Sequence, residues 1–309
     1  MISAAILDAA AGIRERFQAA VPFRHVIVDG FLEPQACESL LRDFPPFDER
    51  KALNELSKPG RKAVHERVSG ISPSYREFYR YINSRAFLQA MSALTGIPQL
   101  LADPALFGGG THENLDGQGL DVHVDFNVHD GLQAHRRLNL LIYLNKEWEE
   151  SWGGAIELHS DPWSRQSGEV ASFLPLFNRA LIFETSERSW HGFKRIRLPA
   201  DRRQLSRKSF SIYLYTKDRP AEEIVAAHTT FYVPAAAPEV AAGIPLSAQQ
   251  AEEIRRAFDH RDGLLRLYQK LLIDKEQRHQ SILDSRTWRA LIALRRAQKR
   301  LLSLFTGRT

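Results

Sequence analysis

Between about residues 97 and 217 the chain is written in short apolar or alternating runs. Gly, Asn, Asp and Pro clusters separate them, and no helix-spaced segment intervenes. The runs fall over 104–112, 120–126, 137–145, 154–159, 169–174, 179–184, 191–196 and 208–216. Around eight strands without interleaved helices predict a two-sheet jelly roll or barrel.

The flanking sequence has a different texture. Residues 2–20 place Ile6, Leu7, Ile13 and Phe17 at helical spacing, which predicts an amphipathic helix. A strand ending in a turn is expected over 23–32, and Pro34 suits the first position of a helix running to about Phe44. Residues 45–70 are charged and aperiodic, as in a surface loop or lid, and helical spacing returns over 73–95. The Ala- and Pro-rich stretch 221–245 reads as a linker or wrapping segment. Ser247 and Gln250 have capping-box spacing and open a long helix to about 282, with a second helix starting near Ser285. The expected organisation is a β-rich domain with supporting helices over 1–220, the connecting segment 221–245, and a helical extension over 246–309.

The net charge of +5 is unevenly spread. Residues 285–309 hold six Arg and Lys299 with no acid, so the tail carries +7 and the other 284 residues carry −2. That distribution argues against a nucleic-acid-binding domain. In the tail, Trp288, Leu291, Ile292, Leu301, Leu302 and Phe305 stand among the cations. Docking of that apolar side on the preceding helix is the expected arrangement, and a peripheral contact with an anionic membrane is the alternative. The single cysteine, Cys37, rules out an internal disulfide framework. With no convincing secretory signal or spanning apolar stretch, a cytoplasmic location is expected.

Chemistry concentrates in the run Leu120-Asp121-Val122-His123-Val124-Asp125-Phe126. Side chains at i and i+2 of a strand share a face, so His123 and Asp125 project together. His191, in Ser189-Trp190-His191-Gly192-Phe193, is placed to complete a set of two imidazoles and one carboxylate. That set binds a non-haem Fe(II) while leaving coordination positions open. A lone His-x-Asp triplet also arises by chance. Further on, Arg207, Ser209 and Ser211 alternate with Lys208, Phe210 and Ile212. Facing inward, Arg207 is suited to a bidentate pair with a carboxylate and Ser209 to a further hydroxyl bond. The same pattern also fits an Arg that opens a half-exposed strand.

Taken in order, His123-x-Asp125, the distal His191 and Arg207 opening a strand resemble the Fe(II)/2-oxoglutarate-dependent dioxygenases, in particular their prolyl-4-hydroxylase-like branch. The run Arg137 to Asn145 resembles that family's strand ending in Tyr-Leu-Asn, and Trp148 followed by Gly153-Gly154 resembles its next hairpin. The resemblance covers roughly residues 22–217. It implies a double-stranded β-helix with supporting N-terminal helices. It also implies Fe(II) held by His123, Asp125 and His191, with 2-oxoglutarate and O₂ as cosubstrates. The distal carboxylate of 2-oxoglutarate would then pair with Arg207, helped by Ser209 and Tyr143. A C–H bond would be hydroxylated while 2-oxoglutarate is decarboxylated to succinate, and the carboxylate of Asp125 favours hydroxylation over halogenation. The basic stretch between His191 and Arg207 leaves Arg202 and Arg203 as alternative anchors.

His112, Asn127 and Asn139 are further candidates for the substrate pocket, whereas His129 and His135 are expected in a loop facing solvent. Gly153-Gly154 is expected to form a turn without a ligand role. Residues 282–289 weakly resemble a segment of bacterial glycosyltransferases of surface-polysaccharide assembly. This hints at a glycan or small-metabolite substrate, against a protein side chain such as proline. A non-catalytic β-barrel binding module is the alternative of another class.

Overall fold

The computed structural model describes residues 1–52, 62–163, 168–234 and 240–292, with 294, 295 and 298. It divides into two compact units, Met1–Pro234 and Ala235–Thr309.

The helices of the first unit are α1 (Ala4–Asp8), α2 (Ala10–Ala19), α3 (Pro34–Arg42), α4 (Pro73–Ile82) and α5 (Arg85–Thr95), with the first two strands set among them. The strands are β1 (His25–Asp29), β2 (Lys62–His65), β3 (Leu101–Ala102), β4 (Gly110–Asn114), β5 (Leu120–Val124), β6 (Val128–His129) and β7 (Ala134–Tyr143). They continue as β8 (Ile156–His159), β9 (Val170–Phe173), β10 (Arg179–Glu184), β11 (Trp190–Phe193), β12 (Arg207–Thr216) and β13 (Phe231–Tyr232).

The strands make two antiparallel sheets. The larger runs β1-β10-β7-β12-β4-β2, with β3 added to β12 and β6 to β7. The smaller runs β13-β5-β11-β8-β9. This is the expected jelly-roll core with supporting helices, and strict alternation on the long strands β7 and β12 explains its layers. Leu138, Leu140, Ile142, Phe210, Ile212 and Leu214 join Phe17, Phe78, Phe87 and Met91 in a core between the larger sheet and the helices. On the other side, Tyr143 packs with Trp148, Trp152, Leu158, Phe183 and Phe193 of a second cluster. Each fully buried side chain of this size stabilises by about 1.5–3 kcal/mol, so both faces of the larger sheet are held.

Several boundaries differ from expectation. The helix anticipated over 2–20 is broken at Ala9 into α1 and α2, and Ile13 and Phe17 of α2 are buried. The helical stretch 73–95 is two helices, because Ser84 caps the second by accepting from the Phe87 backbone N–H. The segment 45–70 is not simply a loop. It contains β2, which pairs with β4 from Lys62–Asn114 to His65–Thr111, while residues 53–61 lie outside the described residues. The strand expected over 104–112 begins only at Gly110, after a turn in which Gly108 adopts φ +70°. His129 and His135 lie in β6 and β7 rather than in an exposed loop, and both are half-buried.

The second unit contains α6 (Ala248–Asp284), opened by the anticipated capping box of Ser247 and Gln250. Helix resumes at Arg286. Trp288, Leu291 and Leu294 are 36%, 47% and 68% exposed, so they do not show the docking expected of that face. Leu301, Leu302 and Phe305 lie outside the described residues. Among the described residues no helix is long and apolar enough to cross a membrane.

Candidate metal centre and cosubstrate pocket

The smaller sheet brings the three sequence-distant residues together. His191 on β11 is the register partner of His123 on β5, so their side chains stand on one face as direct cross-strand neighbours. Their ring centroids are 4.3 Å apart. Asp125 follows one residue after β5 and points the same way: Oδ1 lies 3.7 Å from His123 Nε2, and Oδ2 lies 3.6 Å from His191 Nε2. One donor atom from each of the three falls within 4.8 Å of the others.

The backbone fixes which imidazole nitrogens face this point. His123 Nδ1 lies 2.8 Å from the Asp121 carbonyl and His191 Nδ1 lies 2.8 Å from the Ser189 carbonyl. Each carbonyl accepts a proton held on Nδ1, which leaves Nε2 as a lone-pair donor, the tautomer a metal requires. Burial, followed by the charge of His123, lowers the His191 imidazole to about 3. Burial acts to raise the Asp125 carboxyl, but Arg136, His123 and His191 outweigh it and hold it well below the usual carboxylate range. A neutral His191 imidazole and an ionised Asp125 carboxylate suit a divalent ion.

A layer behind Asp125 is not visible as a motif. Asn139 Nδ2 donates to Asp125 Oδ2 at 2.8 Å, and Arg136 Nε donates to Asn139 Oδ1 at 3.0 Å. Arg136 Nη2 lies 3.0 Å from the same Oδ2 but has no hydrogen-bond geometry to it, so that contact is coulombic. The guanidinium is 2% exposed, its carbon 3.6 Å from the Tyr213 ring centroid and 4.6 Å from that of Phe126. Asn139 is therefore engaged with Asp125. Asn127 is engaged elsewhere: its Nδ2 donates to the Ala226 carbonyl, and its Oδ1 accepts from the His228 N–H.

Arg207, Ser209 and Tyr143 meet on the inner face of the larger sheet. Tyr143 and His112 are both register partners of Ser209, from β7 and β4. Arg207 Nε donates to the Gly154 carbonyl at 2.7 Å, and its Nη2 donates to the Tyr143 hydroxyl at 3.3 Å. Its guanidinium carbon lies 4.3 Å from the Phe193 ring centroid. Arg207 is buried, whereas Arg202 reaches Glu147 and Asp201 on the surface and Arg203 is exposed. Gly153 and Gly154 do more than turn the chain. Both have positive φ, and a Cβ on Gly153 would lie 2.4 Å from the Arg195 carbonyl oxygen. Only glycine fits there, and the turn presents the carbonyl that orients Arg207.

Asn139, which binds Asp125, and Tyr143, which accepts from Arg207, share the strand β7. Asn139 and Tyr143 are four residues apart on β7, roughly 13 Å at about 3.3 Å per residue. Leu141 and Leu181 lie between these levels as register partners.

A segment beyond the barrel also reaches the site. Phe231 and Tyr232 of β13 pair with Val124 and His123, and the Val233 N–H donates to the Val122 carbonyl. The Tyr232 ring lies 5.2 Å from that of His123. Glu223 anchors the same segment by binding Arg137 and Arg219 at 2.8 and 3.0 Å. The composition of 221–245 suggests a linker or wrapping segment, with no signal for Tyr232 at the site.

No curated protein matches this sequence. Among solved structures, the chain is similar to a prolyl hydroxylase of Trichoplax adhaerens in complex with a hypoxia inducible factor peptide. Identity is 16%, covering 70% of this chain and 94% of that one, with a TM-score of 0.47. A prolyl-4-hydroxylase of Pseudomonas putida is 16% identical over 66% of this chain and 98% of that one, with a TM-score of 0.41. HygX of Streptomyces hygroscopicus, with nickel and 2-oxoglutarate bound, is 13% identical over 71% and 95%, with a TM-score of 0.45. The family model of the 2OG-Fe(II) oxygenase superfamily matches residues 110–215, a span that includes His123, Asp125, His191 and Arg207. The match assigns residues 110–215 to a 2OG-Fe(II) oxygenase domain, and the candidate iron triad lies within it.

Proposed function

We propose that this enzyme hydroxylates a C–H bond, with His123, Asp125 and His191 as the iron ligands and Arg207, Ser209 and Tyr143 as the anchor of 2-oxoglutarate. The observation that carries the reading is the convergence of three metal-competent donor atoms within 4.8 Å. A ferrous ion with 2-oxoglutarate supplies the oxidation by O₂, with decarboxylation of the oxo acid to succinate. The chain's own residues bind and orient. The Asp121 and Ser189 carbonyls hold the imidazole tautomers, and Asn139 and Arg136 hold the Asp125 carboxylate. Arg207, fixed by the Gly154 carbonyl and the Tyr143 hydroxyl, offers charge to the distal carboxylate inside a buried cleft, where water competes little. Cys37, buried and free, accords with a reducing compartment.

Anaerobic addition of Fe(II) and 2-oxoglutarate should produce the visible charge-transfer band of the chelate, and His123→Ala should abolish it. A wild-type protein without the band, or a band that survives His123→Ala, overturns the assignment. For the substrate, the glycan reading predicts that surface polysaccharide or its precursors stimulate succinate formation. Stimulation by proline-containing peptides instead would favour side-chain hydroxylation.

A further inference from the structure

On β4, Glu113 faces the helical side, where it accepts from Ser206 Oγ at 2.6 Å and pairs with Lys208. Its neighbours His112 and Asn114 therefore face the cleft. His112 confirms that direction: its Nδ1 lies 3.5 Å from Ser211 Oγ, and its ring feels the charge of Arg207. Asn114 is the register partner of Arg207 itself, which sets their Cβ atoms about 4.5–5.5 Å apart on one face.

Asn114 is 2% exposed, and its Nδ2 has no hydrogen-bond partner among the described residues. A buried amide donor left unpaired costs about 1–3 kcal/mol, so natural structures rarely keep one without a use. The group beside it, Arg207, directs Nε to Gly154 and Nη2 to Tyr143, and its Nη1 takes part in neither bond. Two adjacent donors, one charged and one neutral, thus sit at the same level of the cleft, at the end away from the three metal-competent side chains.

We infer that Asn114 Nδ2 is a donor to the distal carboxylate of the dicarboxylic oxo-acid cosubstrate, alongside Arg207. The assignment rests on the 2-oxoglutarate reading and adds a residue to its pocket. It makes Asn114 a determinant of dicarboxylate over monocarboxylate oxo acids, because a cosubstrate without the distal group leaves the amide unpaired.

The test compares the full-length protein with Asn114→Ala and the near-isosteric Asn114→Asp in anaerobic Fe(II) titrations. 2-Oxoglutarate and pyruvate, which shares the chelating end but lacks the distal carboxylate, are the two probes, and Mn(II) affinity is measured separately. Asn114→Ala should weaken 2-oxoglutarate binding about ten- to a hundredfold. Asn114→Asp should weaken it further by repulsion between carboxylates. Pyruvate and Mn(II) affinities should stay within a factor of about two of wild type. Equal losses for 2-oxoglutarate and pyruvate would mark Asn114 as scaffolding and overturn the inference. So would unchanged 2-oxoglutarate binding in both variants. A wild-type protein that takes up Mn(II) but neither oxo acid overturns the parent reading and this one with it, a failure visible before any variant is measured.

Discussion

Arg136 is a charged side chain held out of water against the carboxylate of Asp125, and arginine is rarely so buried unless paired. With Asn139 it occupies the Oδ2 side of Asp125, while Oδ1 faces His123 Nε2 at 3.7 Å. Partners behind a metal ligand typically change metal affinity 10–100-fold. Arg136→Met should therefore weaken Mn(II) or Fe(II) binding by about that factor, with Arg136→Lys between it and wild type, as read by metal titration of the purified apoprotein. His123, Asp125 and His191 were legible because a ligand set with strand spacing restricts the chemistry. Arg136 was not legible. It stands next to Arg137, whose guanidinium binds Glu184 and Glu223, and alternation alone does not say which of two adjacent arginines faces the metal site. Asn127 looked equally suited to the pocket, yet its amide is consumed by backbone about a hundred residues away, a contact no local pattern encodes.

The pairing of β11 with β5 carries the metal geometry. The register shifts between His191 and Phe193, and Gly192 sits at that irregularity. A Cβ on Gly192 would lie 2.6 Å from the Leu120 carbonyl oxygen and 3.0 Å from backbone atoms of Val122. Backbone cannot turn aside as a flexible side chain can. Gly192→Ala should therefore push the strands apart, lower stability by about 1–3 kcal/mol, and weaken metal binding even though no ligand is altered. Thermal melts with and without Mn(II) check both effects, since the metal-induced rise in Tm should shrink. Strands rich in apolar alternation, such as β7, β10 and β12, were readable nearly to their ends. β2 was missed because Lys62-Ala63-Val64-His65 is short and polar, and its strand state comes from pairing with β4. The helix expected over 2–20 kept its buried face but not its continuity.

The stability of the molecule as a whole should carry the mark of its buried imidazoles. Burial, then the charges of Lys62 and Arg207, lower His112 from the usual 6.5 to about 3, against an opposing pull from the Gly108 and Gly109 carbonyls. Between those two values the unfolded chain binds a proton that the folded chain refuses. The stabilisation is complete above about pH 6.5 and is lost as pH falls toward 3, by about 1.4 kcal/mol per pH unit. His191 adds a loss of the same sign. In metal-free protein, His112→Asn should give a shallower decline between about pH 6 and 4.5 than wild type, measured by urea unfolding.

The strand bearing His123 also has an uncommon history of assembly. Its two neighbours in the sheet, β11 and β13, both come later in the chain, the second only at Phe231 and Tyr232. Synthesis proceeds from the N-terminus, and domains fold as their parts emerge. The nascent polypeptide therefore carries an unpaired His-x-Asp strand until β11 has been made. A ferrous ion would therefore meet all three donors only after β11 has been made, and the Tyr232 ring beside His123 only after β13.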